Sequence, residues 1–355
     1  MPDVNKNRMH LKKITGLLLG LSFFALFFHL IDFSWKDSIN LILKNGLLIL
    51  SCLLVFTALL YYISALKLKY IIIDTTSVHN SLTIGRLFYY TSLGYYLSLL
   101  VPQAVVDIGV KGFFLKTSHN VSFKHGAFSV LLDQFFNAII GILFLVPAIL
   151  LLTGIFDLKE ILIISLFEIG IFVIIFWYYN QVILSLFSKM YFRVLKLLQK
   201  LPFYKNKGDK VTRIYAEDFA IRSHTARKLM LWTFVRHLTV VFRLFIIAFI
   251  LDLQIDFFTL FSCSTLMLYV GIISFIPGQI GIGELGWYGL LSLRGISEPQ
   301  IFTFIISMRI FSNLAILIIG FLSWIVFDLF SFRVGKNPFQ TFTPEQIHLN
   351  EKSNL

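Results

Sequence analysis

Polar positions are sparse along this chain, and their spacing divides it into apolar runs of membrane-crossing length. Runs such as ITGLLLGLSFFALFFHLI from Ile14 and ILIISLFEIGIFVIIFWYY from Ile161 approach the roughly 20 residues a helix needs to cross about 30 Å of hydrocarbon. Strands of about ten alternating residues, which a barrel requires, are absent from the pattern. The chain therefore reads as an all-α polytopic membrane protein. Full crossings are expected at 14–34, 39–62, 126–152, 160–180, 229–251 and 300–328.

Two further segments resist this reading. Segment 84–112 has Arg86 near one end and Lys111 and Lys116 at the other, with Pro102 between them. A single crossing would strand one basic cluster on the far side, so the segment is read as a re-entrant hairpin turning near Pro102. Segment 257–293 contains FIPGQIGIGELGWYGLL, from Phe275, where a proline, glycines and Glu284 interrupt an apolar run. It is read as a second hairpin, entering from the opposite face. Non-helical backbone at membrane depth is tolerated only where protein or water covers it. About six full crossings plus two broken-helix hairpins result.

Composition strengthens this picture: 57% of residues are hydrophobic and 14% charged, and mean hydropathy is +0.81. Soluble domains are roughly 45–50% apolar and about 25% charged. The net charge of +12 does not point to nucleic acid, because the basic residues cluster in loops beside apolar runs, as cytoplasmic loops do. Residues 1–13, the long basic loop 181–228 and the tail 331–355 are thus expected in the cytoplasm, with the chain in the cell inner membrane. Within that loop, SLFSKMYFRVLKLLQK from Ser185 suits either an interfacial helix or an ordinary connecting one. The first apolar run lacks a small-residue cleavage site and is read as a retained span. Cys52 and Cys263 have no metal-ligand spacing and read as small buried hydrophobes. No cofactor is expected.

A repeat is written along the chain. LKTSHNVSFKHGAFSVLLDQFFN from Leu115 aligns without a gap with LSLRGISEPQIFTFIISMRIFSN from Leu291. Phe135 then matches Phe311, Asn137 matches Asn313, and Asp133 matches Arg309. Upstream, each copy has a proline followed by a carboxylate, Asp107 in one and Glu284 in the other. The order of elements also recurs: two crossings, a broken segment and one crossing. Residues 14–152 form the first membrane repeat and 153–330 the second. Hairpins entering from opposite faces make the halves inverted, with tips approaching near mid-membrane, a plan common in secondary transporters.

Three second-half motifs, I-P-G-x-I-G-I-G-E, R-G-I-S-E-P and M-R-I-F-S-N, resemble the membrane domain of the lysylphosphatidylglycerol synthase (multiple peptide resistance factor) family. In the first half, L-G-Y-Y-L-S-L-L-V-P, D-x-G-x-K and V-L-L-D-Q-F-F-N resemble that family's other half. The resemblance covers about residues 10–330. It implies flipping of a lipid between leaflets rather than its synthesis, since no segment here is long or polar enough for the family's soluble synthase domain. Two departures stand out. Gln103-Ala104-Val105-Val106 replaces the usual glycines after the first-hairpin proline, and Asp133-Gln134 replaces a frequent Glu-Arg.

Candidate contacts for a headgroup follow from the breaks and the buried charges. Pro102 and Gln103 mark the first break, and Pro277, Gly278, Gln279, Gly281 and Gly283 the second. Glu284 beside it faces either the substrate or a coupling cation, or else forms a local ion pair. Asp107 and Lys111, four apart, share a helix face. Asp133 and Arg309 lie deep in their spans and are expected to pair across the repeat. Arg236 and Arg243 share a face that suits phosphate; Arg236 is expected to reach toward the cytoplasm and Arg243 to pair with Glu168. Asn137 and Asn313 suit hydrogen bonds between helices.

The expected function is a lipid translocase moving an anionic or aminoacylated phospholipid, or a polyprenyl-linked lipid, between inner-membrane leaflets. Its partners are then membrane phospholipids or polyprenyl lipids, with a lipid synthase or a second copy of the chain as protein partners. A membrane-embedded lipid-linked transferase and an accessory subunit of a synthase are the alternatives. No nucleotide-binding or hydrolase motif is present.

Overall fold

The structure is a computed structural model that describes residues 35–76, 82–119, 121–199, 221–273 and 276–333. The expected crossing at 14–34, residues 1–13, much of the basic loop and the tail beyond residue 333 lie outside the described residues. Nine α-helices follow in order among the described residues: α1 (Trp35–Thr75), α2 (Ile84–Ser98), α3 (Gln103–His119), α4 (Phe123–Thr153), α5 (Leu158–Gln199), α6 (Ser223–Ile250), α7 (Phe257–Ile273), α8 (Ile282–Leu293) and α9 (Glu298–Arg333). No strand occurs among the described residues.

Among the described residues, five stretches are long and apolar enough to cross a membrane: Ile42–Thr75, Phe123–Thr153, Leu158–Arg193, Ser223–Ile250 and Glu298–Phe327. The chain is a polytopic membrane protein. Helix α1 does not stop at residue 62 but runs for 41 residues, about 61 Å at 1.5 Å per residue. The apolar run Tyr70–Ile73 resumes beyond Lys67 and Lys69, and Lys67 is neutralised inside the fold. Helix α5 likewise continues for 42 residues, through the segment from Ser185 that by its sequence suits either an interfacial helix or an ordinary connecting one. No glycine or proline follows Gly170 in it to end the helix.

Both broken segments are helix–break–helix. Helix α2 has 15 residues and α8 has 12, about 22 and 18 Å, so neither spans the roughly 30 Å of hydrocarbon alone. The arms of each hairpin pack on one another. In the first, the ring of Tyr90 stacks on Phe114 with centroids 4.8 Å apart, and Gly94 lies beside Asp107. That spacing places the turn at residues 99–102. In the second, Met267 of α7 packs against Gly286 of α8.

The two halves meet through contacts between their helices. Helix α1 precedes the first hairpin and α6 the second, and the two lie side by side. Asp74 near the end of α1 pairs with Arg222 at the start of α6 at 3.3 Å, while Lys228 sits 5.3 Å from the centre of the Tyr70 ring. Helices α1 and α6 therefore run antiparallel, the direction expected of this pair in inverted halves. Each hairpin also leans on the other half: α4 packs against α7, and α9 against α2. Ile49, Leu53, Leu244, Cys263 and Phe304 fill a core shared by these elements.

Helix α5 is the outlier. Only 11% of its apolar window is buried, against 56% for α4, so its surface is offered to lipid. Between α4 and α5 lies an open groove of about 560 Å³, lined by Phe135, Ile139, Leu143, Phe172 and Glu168.

Candidate functional site

The first hairpin carries a polar cluster assembled from five helices. Lys67 on α1 is fully buried, and its ammonium lies 2.5 Å from the Asp133 carboxylate on α4. It also donates to Asn137 Oδ1 at 3.4 Å. One turn earlier on α4, Gln134 Oε1 accepts from the Asn137 amide at 3.3 Å. From α6, Arg236 donates to the Tyr95 hydroxyl on α2 at 2.9 Å and to Asn137 Oδ1 at 3.5 Å. On α3, Lys111 and Asp107 form an ion pair at 3.0 Å, both buried. The ring of Tyr95 stacks on that of Tyr61 from α1, centroids 4.7 Å apart. Arg243, two turns beyond Arg236, lies within electrostatic reach of Tyr61, Tyr95 and Arg236.

Four cations thus face two carboxylates, a surplus of two positive charges. A central Asp, Lys or Arg in a membrane helix costs roughly 2.5–3.5 kcal/mol even on lenient scales, and such groups usually meet a partner or a wet cavity. Arg236, Arg243, Tyr95 and Asp133 are only half-buried. The cluster therefore borders open space and is not sealed in the core.

The second break is built differently. Gly278, Gln279 and Gly281 all have positive φ, at 60°, 55° and 84°, a conformation that glycine adopts without cost and Gln279 does not. Arg309 of α9 holds this turn. Its guanidinium donates to Gly278 O at 2.7 Å and Gln279 O at 2.9 Å, and it forms an ion pair with Glu284. The other Glu284 oxygen accepts from the Gly281 N–H at 2.6 Å, capping α8. Gly283 must lack a side chain, since a Cβ there would collide with the Arg309 guanidinium. Gly283→Ala is accordingly expected to loosen the turn and lower the thermal unfolding temperature in detergent; Gly289→Ala, where nothing lies near the added Cβ, is the matched control.

The two tips meet. A Cβ on Gly278 would sit 3.7 Å from the Leu99 carbonyl oxygen. The first turn has no comparable side-chain clamp among the described residues. It is closed by Leu100 and Val101 N–H groups donating to Leu97 O, and by Pro102 O accepting from Val105 and Val106.

Several expectations change. Asp133 and Arg309 do not pair across the repeat; each finds a nearer partner, Lys67 and Glu284 respectively. Arg236 turns inward to Tyr95 and Asn137 instead of reaching for the cytoplasm. Glu168 and Arg243 do not meet. Glu168 points into the α4–α5 groove, where its Oε2 is buried with no hydrogen-bond partner among the described residues. Asn137 bridges helices as expected, whereas Asn313 is half-buried with no hydrogen bond among them. Asp107 and Lys111 pair as their spacing predicts. Pro102 and Gln103 sit at the first break, half-buried; Pro277 opens the second.

Lys67, Tyr61, Tyr95 and Gln134 entered the cluster unannounced. Lys67 reads as a loop residue ending a crossing, yet the apolar Tyr70–Ile73 run that follows it is the signal that the helix continues.

Neither the curated proteins nor the solved structures contain a match to this chain. A family model described as the lysylphosphatidylglycerol synthase TM region matches residues 13–320 of the 355. That span takes in both hairpins, the charged cluster and the clamped turn, and the chain belongs to the lysylphosphatidylglycerol synthase transmembrane-region family.

Proposed function

We propose that this protein is a lipid translocase. It moves an anionic or aminoacylated phospholipid, or a polyprenyl-linked lipid, between the leaflets of the inner membrane. The headgroup passes the cluster at the first hairpin while the tails stay in lipid. The observation that carries this reading is the gathering of four cations and two carboxylates at a helix break, with Arg236, Arg243, Tyr95 and Asp133 left partly open. Irregular backbone in mid-membrane exposes donors and acceptors that a headgroup can use in place of water. The basic residues between α5 and α6 support a cytoplasmic loop there, and hence cytoplasmic termini.

Leaflet exchange of labelled phospholipid in proteoliposomes tests it. Wild type is expected to accelerate exchange over empty vesicles, and Arg236→Ala to reduce that acceleration by about tenfold, the equivalent of one charge-assisted hydrogen bond. Exchange no faster than in empty vesicles, with every lipid class tried, would remove the reading. A new lipid species formed on adding nucleotide-activated donors would replace it with the transferase alternative.

A further inference from the structure

We infer that the first-hairpin cluster selects a headgroup of net negative charge, with Arg243 as its phosphate anchor, in preference to an aminoacylated headgroup. This rests on the translocase reading and adds a substrate class to it.

The argument is an inventory of what the cluster leaves unmet. Its two carboxylates are engaged: Asp133 by Lys67 and Asp107 by Lys111. None is left to receive an ammonium group from a ligand. The unmet groups are donors. Tyr61 Oη, Arg236 Nε and Arg243 Nε are buried with no hydrogen-bond acceptor. Arg243 has no ion-pair partner among the described residues, although it lies in reach of Tyr61, Tyr95 and Arg236. Buried polar atoms ordinarily find partners, so three orphan donors in one neighbourhood, two of them cationic, mark a place for an acceptor-rich anion. A phosphate supplies such acceptors, and guanidinium binds them with charge-assisted bonds.

The geometry also argues against a cationic headgroup. An aminoacyl ester adds one or more ammonium groups to the phosphate, which would enter a cluster already carrying two surplus positive charges. The second tip offers no relief. Its sole described carboxylate, Glu284, is held by Arg309 on one side and by the Gly281 N–H on the other. Arg309 spends its own donors on the Gly278 and Gln279 carbonyls and on Glu284. Among the described residues, the pair of tips thus presents cations and hydroxyls, and no free carboxylate.

The test uses the full chain in detergent with three probes: a short-chain phosphatidylglycerol, its lysyl ester, and inorganic phosphate. Thermal stabilisation is measured against probe concentration. The anionic lipid is expected to act at about tenfold lower concentration than its lysyl ester. Arg243→Gln is expected to raise the required concentration about tenfold, and Tyr61→Phe to raise it several-fold. If Arg243→Gln does not fold, Arg243→Lys and Tyr61→Phe carry the comparison. Equal potency of the two lipids, or folded variants that bind like wild type, overturns the inference. Inorganic phosphate matching the lipid at equal concentration supports the anion site but overturns its assignment to a lipid headgroup. Leaflet exchange is run in parallel with both lipids. Selective binding without exchange removes translocation and leaves the anion site standing; exchange of both lipids at one rate, untouched by Arg243→Gln, removes the site and leaves translocation.

Discussion

Replacing Asp133 with alanine is expected to destabilise the protein by about 3–5 kcal/mol, the usual cost of stranding one member of a buried ion pair. Lys67 would be left with no exposed surface, no carboxylate and only the longer contact to Asn137. Removing both charges should cost far less, because well-packed apolar side chains of similar size often match or exceed a buried pair in stability. Lys67→Met with Asp133→Leu is therefore expected to unfold near the wild-type temperature in detergent, while Asp133→Ala unfolds several degrees lower. A double variant as unstable as the single one would show that Asp133 is held by something other than Lys67.

Arg309→Ala has the second large effect. It removes the ion pair with Glu284 and both hydrogen bonds to the turn carbonyls at once. A loss of about 3–5 kcal/mol is expected. Lysine should not rescue it, since a single ammonium cannot reproduce the planar fork that reaches two carbonyls and a carboxylate together. Adding Glu284→Gln to Arg309→Ala should restore part of the loss. The amide oxygen can still accept from the Gly281 N–H, and no unpaired carboxylate remains beside the break. Unfolding temperatures of the four proteins in one detergent decide this; a Glu284→Gln addition that worsens Arg309→Ala would contradict the clamp.

Much of the fold was legible because hydrophobic length alone separates membrane-crossing helices from shorter arms. Arg86, Pro102 and Lys111 located the first hairpin, and the prolines, glycines and Glu284 of FIPGQIGIGE located the second. The ends of α1 and α5 were not legible. Their basic residues look like loops by composition, yet nothing breaks the helix, and Lys67 is discharged by a carboxylate 66 positions away in sequence. Pairing failed for a related reason. Repeat alignment says which positions are equivalent, not which are adjacent. Asp133 and Arg309 are equivalent, but each pairs with an opposite charge from its own half, Lys67 of α1 in one and Glu284 of α8 in the other. Tyr61 and Tyr95 carried no signal at all, since tyrosines abound in this chain and only their stacking beside Arg243 sets these two apart.

The unequal fastening of the two tips has a mechanical consequence. The second bend is bolted to a long helix by one guanidinium, so unbending it means breaking several strong contacts together. The first is latched by main-chain bonds of its own and merely rests against its neighbour. Where two copies of a fold differ in stiffness, displacement concentrates in the softer one. The tip beside the charged cluster is also the tip that is cheapest to move, and its duplicate serves as the anvil.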